Sequence, residues 1–137
     1  MVSKRVLFVC IGNACRSPMA EGFANYYGRG WLSATSVGSH PAGFIMPNTV
    51  KVMQEKGIDV SFQTSKGLSS VDWERLDWVV ILESSLSDYV HAPSPRTEVL
   101  HWFLPDPVGQ PLEVYREVRD QIEVRVLDFI ERVRKAS

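Results

Sequence analysis

Apolar and polar positions along this chain follow two alternating rhythms. Short continuous apolar runs mark strands buried on both faces, and stretches with apolar residues three and four apart mark helices. Lys4–Cys10 (KRVLFVC) is an apolar run behind two basic residues and predicts a buried parallel strand. Pro18–Tyr27 predicts a helix, with Met19, Phe23 and Tyr26 on one face and Gly28 and Gly30 ending it. Trp31–Val37 reads as a second strand, Gly38–Met46 as a loop, and Pro47–Lys56 as a helix with Val50 and Met53 inward. Gly57 stops that helix. Ser61–Glu74 is irregular or a single helical turn. Leu76–Leu82 is a third, strongly apolar strand, Ser84–Tyr89 a short helix, and Glu98–Phe103 a fourth strand. Leu112–Lys135 is a long final helix, in which Tyr115, Val118, Ile122, Val126, Phe129 and Val133 form a core-facing stripe. Asp128–Arg132 and Glu131–Lys135 are spaced to pair on its wet side. Trp73 and Trp78 read as core residues.

Strands alternating with helices imply an α/β three-layer sandwich with a four-stranded parallel sheet and helices on both faces. The order expected is 2-1-3-4. Strand 1 is then central, and the loop after it lies at the switch point where open sheets bind ligands. One domain, residues 1–137, accounts for the length.

Composition narrows the partners. Fifteen Lys and Arg against sixteen Asp and Glu leave a net charge of −1, which argues against nucleic acid or an anionic membrane as partner. No stretch has the length of a membrane span, and the N-terminus lacks a signal-peptide apolar region. Two cysteines, one of them placed for catalysis, fit a reducing compartment, so the cytoplasm is expected; the expected assembly is a monomer or weak homodimer. The three histidines show no metal-ligand spacing, and neither metal nor cofactor is expected. Of them only His40 is expected to line a site.

The chemistry concentrates in Cys10–Ser17, CIGNACRS, between the first strand and the first helix. Gly12 lets the backbone turn sharply, and Asn13 tolerates the left-handed region. Successive N–H groups of Ile11, Gly12, Asn13, Ala14 and Cys15 can then converge on an anion, joined by the dipole end of the following helix. Pro18 suits the first turn of that helix. Arg16 adds a planar fork for two oxygens of a tetrahedral ion. Such surroundings favour the Cys10 thiolate, toward which Ser17 can donate a hydrogen bond. The implied step is attack of the Cys10 sulfur on phosphorus to give a cysteinyl-phosphate. Asp106, in Leu104–Gly109 (LPDPVG), follows the last strand and reaches the same sheet edge, where it can protonate the leaving group. Cys15 is either a small apolar residue of the loop or a redox partner of Cys10.

The stretch CIGNACRSPMAE, the late Asp106–Pro107 and the overall length resemble the low-molecular-weight protein tyrosine phosphatases. The resemblance covers essentially the whole chain. It implies a four-stranded parallel α/β fold, a metal-free cysteinyl-phosphate route and a phosphorylated protein, carrying phosphotyrosine, as substrate. It implies Cys10 as nucleophile, Arg16 as clamp, Ser17 as thiolate donor, Asn13 as loop brace, Asp106 as general acid and Ser36 as a buttress of the loop. The sequence departs from the family pattern in three places. Val108 and Gly109 stand where tyrosines wall the phenol pocket, Phe62–Gln63 replaces a histidine, and Ala14 is neither isoleucine nor the threonine of phosphoarginine phosphatases. MAEGFANYYG and GIDVSFQTS are also similar to arsenate reductases that share this loop. Positions 82–89 (LESSLSDY) carry no cysteine, so a reductase of this sequence would draw on an external thiol. The phosphatase reading leads, with arsenate reductase and phosphoarginine phosphatase as alternatives. A non-catalytic phosphate reader has no use for a nucleophile.

Overall fold

A computed structural model describes residues 4–136. Its elements are β1 (Lys4–Cys10), α1 (Arg16–Tyr27), β2 (Leu32–Gly38), α2 (Pro47–Gln54), β3 (Trp78–Ile81), β4 (Glu98–His101) and α3 (Leu112–Ala136). Short 3₁₀ turns occupy Leu68–Ser70, Trp73–Arg75 and Ser84–Leu86. The four strands form a parallel sheet in the order β2-β1-β3-β4, with Cys10 opposite Gly38 and Val9 opposite Ile81. Among the described residues no helix is long and apolar enough to cross a membrane.

Strand alternation decides which residues enter which layer. Val6, Phe8, Val80, Leu82 and Trp102 face one way and meet Met19, Phe23, Met53, Val118, Ile122 and Phe129 from the helices. Trp78 and Trp102 set their rings against Phe129, with centroids 5.1 and 5.8 Å apart. Leu7, Val9, Val37, Val79 and Ile81 face the other way, under Leu76, Leu86, Val90 and the partly buried Trp73. Both faces are covered, but unequally: all three α-helices share one side, and the other carries only 3₁₀ turns and extended chain. The segments after α2 and β3 that reach that side are rich in Ser, Gly and Asp. They favour turns over a continuous helix.

Several boundaries shift. The first helix begins at Arg16 rather than Pro18, which its first turn accommodates because N–H groups there have no partner inside the helix. The third and fourth strands are shorter than their apolar runs, since only Trp78–Ile81 and Glu98–His101 keep parallel register. The stripe on α1 turns at its end. Tyr26 is 47% exposed, while Tyr27 stacks on Phe23 and donates to Glu123 of α3 at 2.6 Å. On α3, Lys135 pairs with Glu131 as spaced, but Arg132 reaches Glu98 of β4 at 2.6 Å instead of Asp128. Asn25 of α1 lies against the outer edge of β2. Its amide oxygen accepts from the Ala34 N–H at 2.9 Å, and its nitrogen donates to the Ala34 carbonyl at 3.1 Å.

Candidate active site

The loop from Cys10 to Arg16 is shaped from outside by donors that hold its carbonyls. The Cys10 carbonyl accepts from the Ser39 N–H, Ile11 from His40, Gly12 from Ala42, Ala14 from Met46 and Cys15 from Met19. The Ser65 hydroxyl adds a second bond to Gly12, and the Thr49 hydroxyl a second to Ala14. In a trans peptide the N–H points opposite the carbonyl. Carbonyls tied outward therefore turn the loop's N–H groups over Cys10. Helix α1 has no capping side chain and no acidic residue in its first turn, so its free N–H groups and positive end face the same space.

Two backbone positions make this turn possible. Asn13 holds a φ of 47°. At Gly38, opposite Cys10, an added Cβ would lie 2.4 Å from the Ile11 carbonyl oxygen and 2.7 Å from the Asn13 nitrogen. Both obstacles are backbone, so neither yields by a side-chain rotation. Gly38→Ala is expected to destabilise the protein by about 2 kcal/mol and to reduce phosphate binding. Thermal denaturation and a phosphate titration check this; wild-type values in both would show that the loop tolerates the displacement.

Inside the loop, Cys10 Sγ lies 2.8 Å from Ser17 Oγ. The Asn13 amide nitrogen donates to both Ser17 Oγ (2.8 Å) and Ser36 Oγ (2.9 Å), while its oxygen accepts from the Lys66 N–H at 2.8 Å. Ser17 accepts from Asn13, which leaves its own proton free to point at a Cys10 thiolate. Arg16 is 2% exposed. Its Nη1 donates to the Leu82 carbonyl (3.2 Å), Glu83 Oε1 (2.8 Å) and the Leu104 carbonyl (2.9 Å). These bonds lock the guanidinium plane, and Nη2 lies 3.7 Å from Asp106 Oδ2. Burial works to raise the Glu83 carboxyl, but its bonds to Arg16 and Ser85 hold it below the usual carboxylate range.

The loop floors a pocket of about 220 Å³ lined by Cys10, Ile11, Gly12, Ala14, Cys15 and Arg16 below and by Ala42, Met46, Asp106 and Val108 above. Asp106 is exposed, and its Oδ1 accepts from the Val108 N–H at 3.0 Å, which fixes the loop that carries it. The walls are aliphatic: no aromatic residue is among those lining it. Cys15 is 3% exposed, with Sγ 3.9 Å from Tyr115 Oη. Burial pushes its thiol up to about 11, against the pull of hydrogen bonds to Thr49 and Tyr115.

Of the residues expected from the sequence, Cys10, Ile11, Gly12, Ala14, Cys15, Arg16 and Asp106 line this pocket, and Asn13, Ser17 and Ser36 brace it from behind. His40 does not join them. Its ring is exposed against Ser39 Oγ, and only its backbone N–H serves the loop. Glu83, Thr49, Ser65, Glu21 and Lys66 escaped the sequence reading. A hint existed for Glu83 alone, an acidic residue just past an apolar strand at the edge where Cys10 and Asp106 converge.

The family model for low molecular weight phosphotyrosine protein phosphatases matches residues 5–137. A glutaredoxin arsenate reductase of Synechocystis is 39% identical, over 95% of this chain and 98% of its own. A solved arsenate reductase in a phosphate-binding state superimposes with a TM-score of 0.82 at 38% identity, covering 95% of this chain and 98% of the other. A low molecular weight protein tyrosine phosphatase from T. tengcongensis does so with the same score at 32% identity, covering 95% and 99%.

Proposed function

Since the chain belongs to the low molecular weight phosphotyrosine protein phosphatase family, we propose that its Cys10 site reduces arsenate with electrons from a thiol outside the chain. The relatives at 36% to 39% identity named arsenate reductases support this over the phosphotyrosine reading that the loop suggests by itself. The observation that carries it is the pocket, a cradle for a tetrahedral oxyanion with a nucleophile at its floor and no aromatic wall for a phenol ring.

In this reading the Cys10 thiolate attacks arsenic(V). An As–O bond breaks, and the departing oxygen leaves as water with a proton from Asp106. Arg16 and the loop N–H groups hold the remaining oxygens as charge builds on them. An external thiolate then attacks Cys10 Sγ. A disulfide forms, the S–As bond breaks, and its electron pair stays on arsenic, which leaves as arsenite. A second external thiol releases Cys10 and carries away the oxidised pair. Cys15 is a poor substitute for that thiol: its raised proton affinity leaves little thiolate at neutral pH. Cys15→Ala is therefore expected to keep arsenate turnover within about three-fold of wild type when glutathione and glutaredoxin are supplied. A loss of turnover would make Cys15 the internal resolving thiol.

Phosphomonoester hydrolysis is the second reading, favoured by Asp106 set beside Arg16 over the nucleophile. There water cleaves a cysteinyl-phosphate and no electrons move. The deciding experiment assays arsenate with thiol, phosphotyrosine and phosphoarginine side by side. Arsenite release with weak ester hydrolysis supports the reductase, and metal-free turnover of phosphotyrosine or phosphoarginine without arsenate reduction overturns it.

A further inference from the structure

Behind the loop lies a charged pair that none of the steps above uses. Glu21 of α1 is buried, and its Oε1 accepts from Ser36 Oγ at 2.6 Å. Lys66 Nζ stands 3.9 Å from the same oxygen, with about a third of its side chain exposed. From there a continuous path runs through Ser36, Asn13 and Ser17 to the Cys10 sulfur, each link 2.9 Å or shorter.

We propose that Lys66 is a positioning residue for the nucleophile, acting on Cys10 through Glu21 and through Asn13. The direction of the hydrogen bonds makes the argument. An ionised Glu21 can only accept, so the Ser36 proton goes to it and both acceptor sites of the Ser36 oxygen stay open to the Asn13 amide. The second Asn13 amide hydrogen goes to Ser17, which frees the Ser17 proton for the sulfur. The Lys66 backbone N–H on Asn13 Oδ1 forbids the flipped amide, which would reverse the path. A protonated Glu21 could instead donate to Ser36, whose oxygen would then divide its acceptor sites between that proton and the Asn13 amide, weakening the bond that holds Asn13 against Ser17. Burial raises the Glu21 carboxyl; the Ser36 bond and the Lys66 ammonium oppose it. Lys66 thus favours the ionised state on which the path depends. The charged and titratable groups facing the two ends are Lys66 at Glu21, and Arg16, Asp106 and Cys15 around Cys10.

The inference rests on Cys10 being the reactive thiol, not on which oxyanion it attacks. Its test therefore uses no substrate: the rate of Cys10 carboxamidomethylation by iodoacetamide, read at that residue by mass spectrometry across pH. Lys66→Met is expected to slow alkylation about three-fold at mildly acidic pH and to move the rate–pH curve to higher pH, and Lys66→Arg to restore it. Because Lys66 is partly exposed, the variants are expected to fold. Glu21→Gln supplies an independent arm. Burial makes the Glu21 charge costly to the fold, so this variant is expected to keep the wild-type Tm near neutral pH while its Cys10 alkylates more slowly. Coincident rate–pH curves for Lys66→Met and wild type, or a Glu21→Gln that melts earlier yet alkylates at the wild-type rate, would overturn the proposal. A protein that passes this test and reduces no arsenate would count against the proposed function alone.

Discussion

Cys10→Ser is expected to lower kcat/KM by about 10⁴-fold or more on any substrate the site accepts. The cause is chemical, not structural. Cys10 contributes its carbonyl to Ser39 and its sulfur to Ser17, and a serine keeps the first bond and approximates the second. What disappears is an anion able to attack. A serine hydroxyl has no hydrogen-bonded base here, since its neighbour is the Ser17 hydroxyl and Asp106 is placed beside Arg16 in the pocket wall. The variant should therefore melt near the wild-type temperature and still bind phosphate, whose oxygens meet the loop amides and Arg16. Calorimetric titration with phosphate alongside the rate measurement separates the two properties. A variant that retains a few per cent of wild-type rate would show that the first covalent step lies elsewhere.

Arg16→Lys follows with the next largest effect. One guanidinium does two jobs: Nη1 is held by two carbonyls and Glu83, while Nη2, beside Asp106 in the pocket wall, is available to an oxyanion. A lysine has one nitrogen and cannot serve both. If it stays with Glu83, the oxyanion loses its fork; if it turns to the oxyanion, buried carbonyls of Leu82 and Leu104 lose their donor. Loss of the fork is expected to lower kcat/KM about 10³-fold, and the imperfect internal pairing to reduce stability by about 2 kcal/mol. Steady-state kinetics and denaturant melts check both. Intact kinetics in the Arg16→Lys variant would mean that the loop amides alone stabilise the transition state.

The sequence disclosed what local rules govern. Cys10, Gly12, Asn13 and Arg16 stand within one turn, and their spacing is itself the geometry of the cradle. The parallel sheet followed from the alternation of strands and helices, and its order is the 2-1-3-4 expected. Features that depend on distant partners stayed hidden. Tyr26 sits on the expected stripe but loses to Tyr27, because Glu123 of α3 offers a hydroxyl partner only at the later position. Lys66 and Ser65 lie in a segment without periodicity, and their link to the loop arises only when that segment crosses beside Gly38, where Gly38 and Gly67 form a lone bridge. The aliphatic wall is a similar case. Val108 after Asp106 signalled a missing tyrosine, but Ala42 and Met46 come from another loop entirely.

The side chain of Asn25 has a consequence for how copies of this molecule behave in a crowded solution. A terminal strand offers a row of unmet peptide groups on which a foreign chain can template itself. By presenting its own carboxamide to Ala34, Asn25 imitates a single residue of such an intruder and occupies the seat first. The fold thus carries a built-in plug against polymerising along that margin, made from one residue of a neighbouring helix.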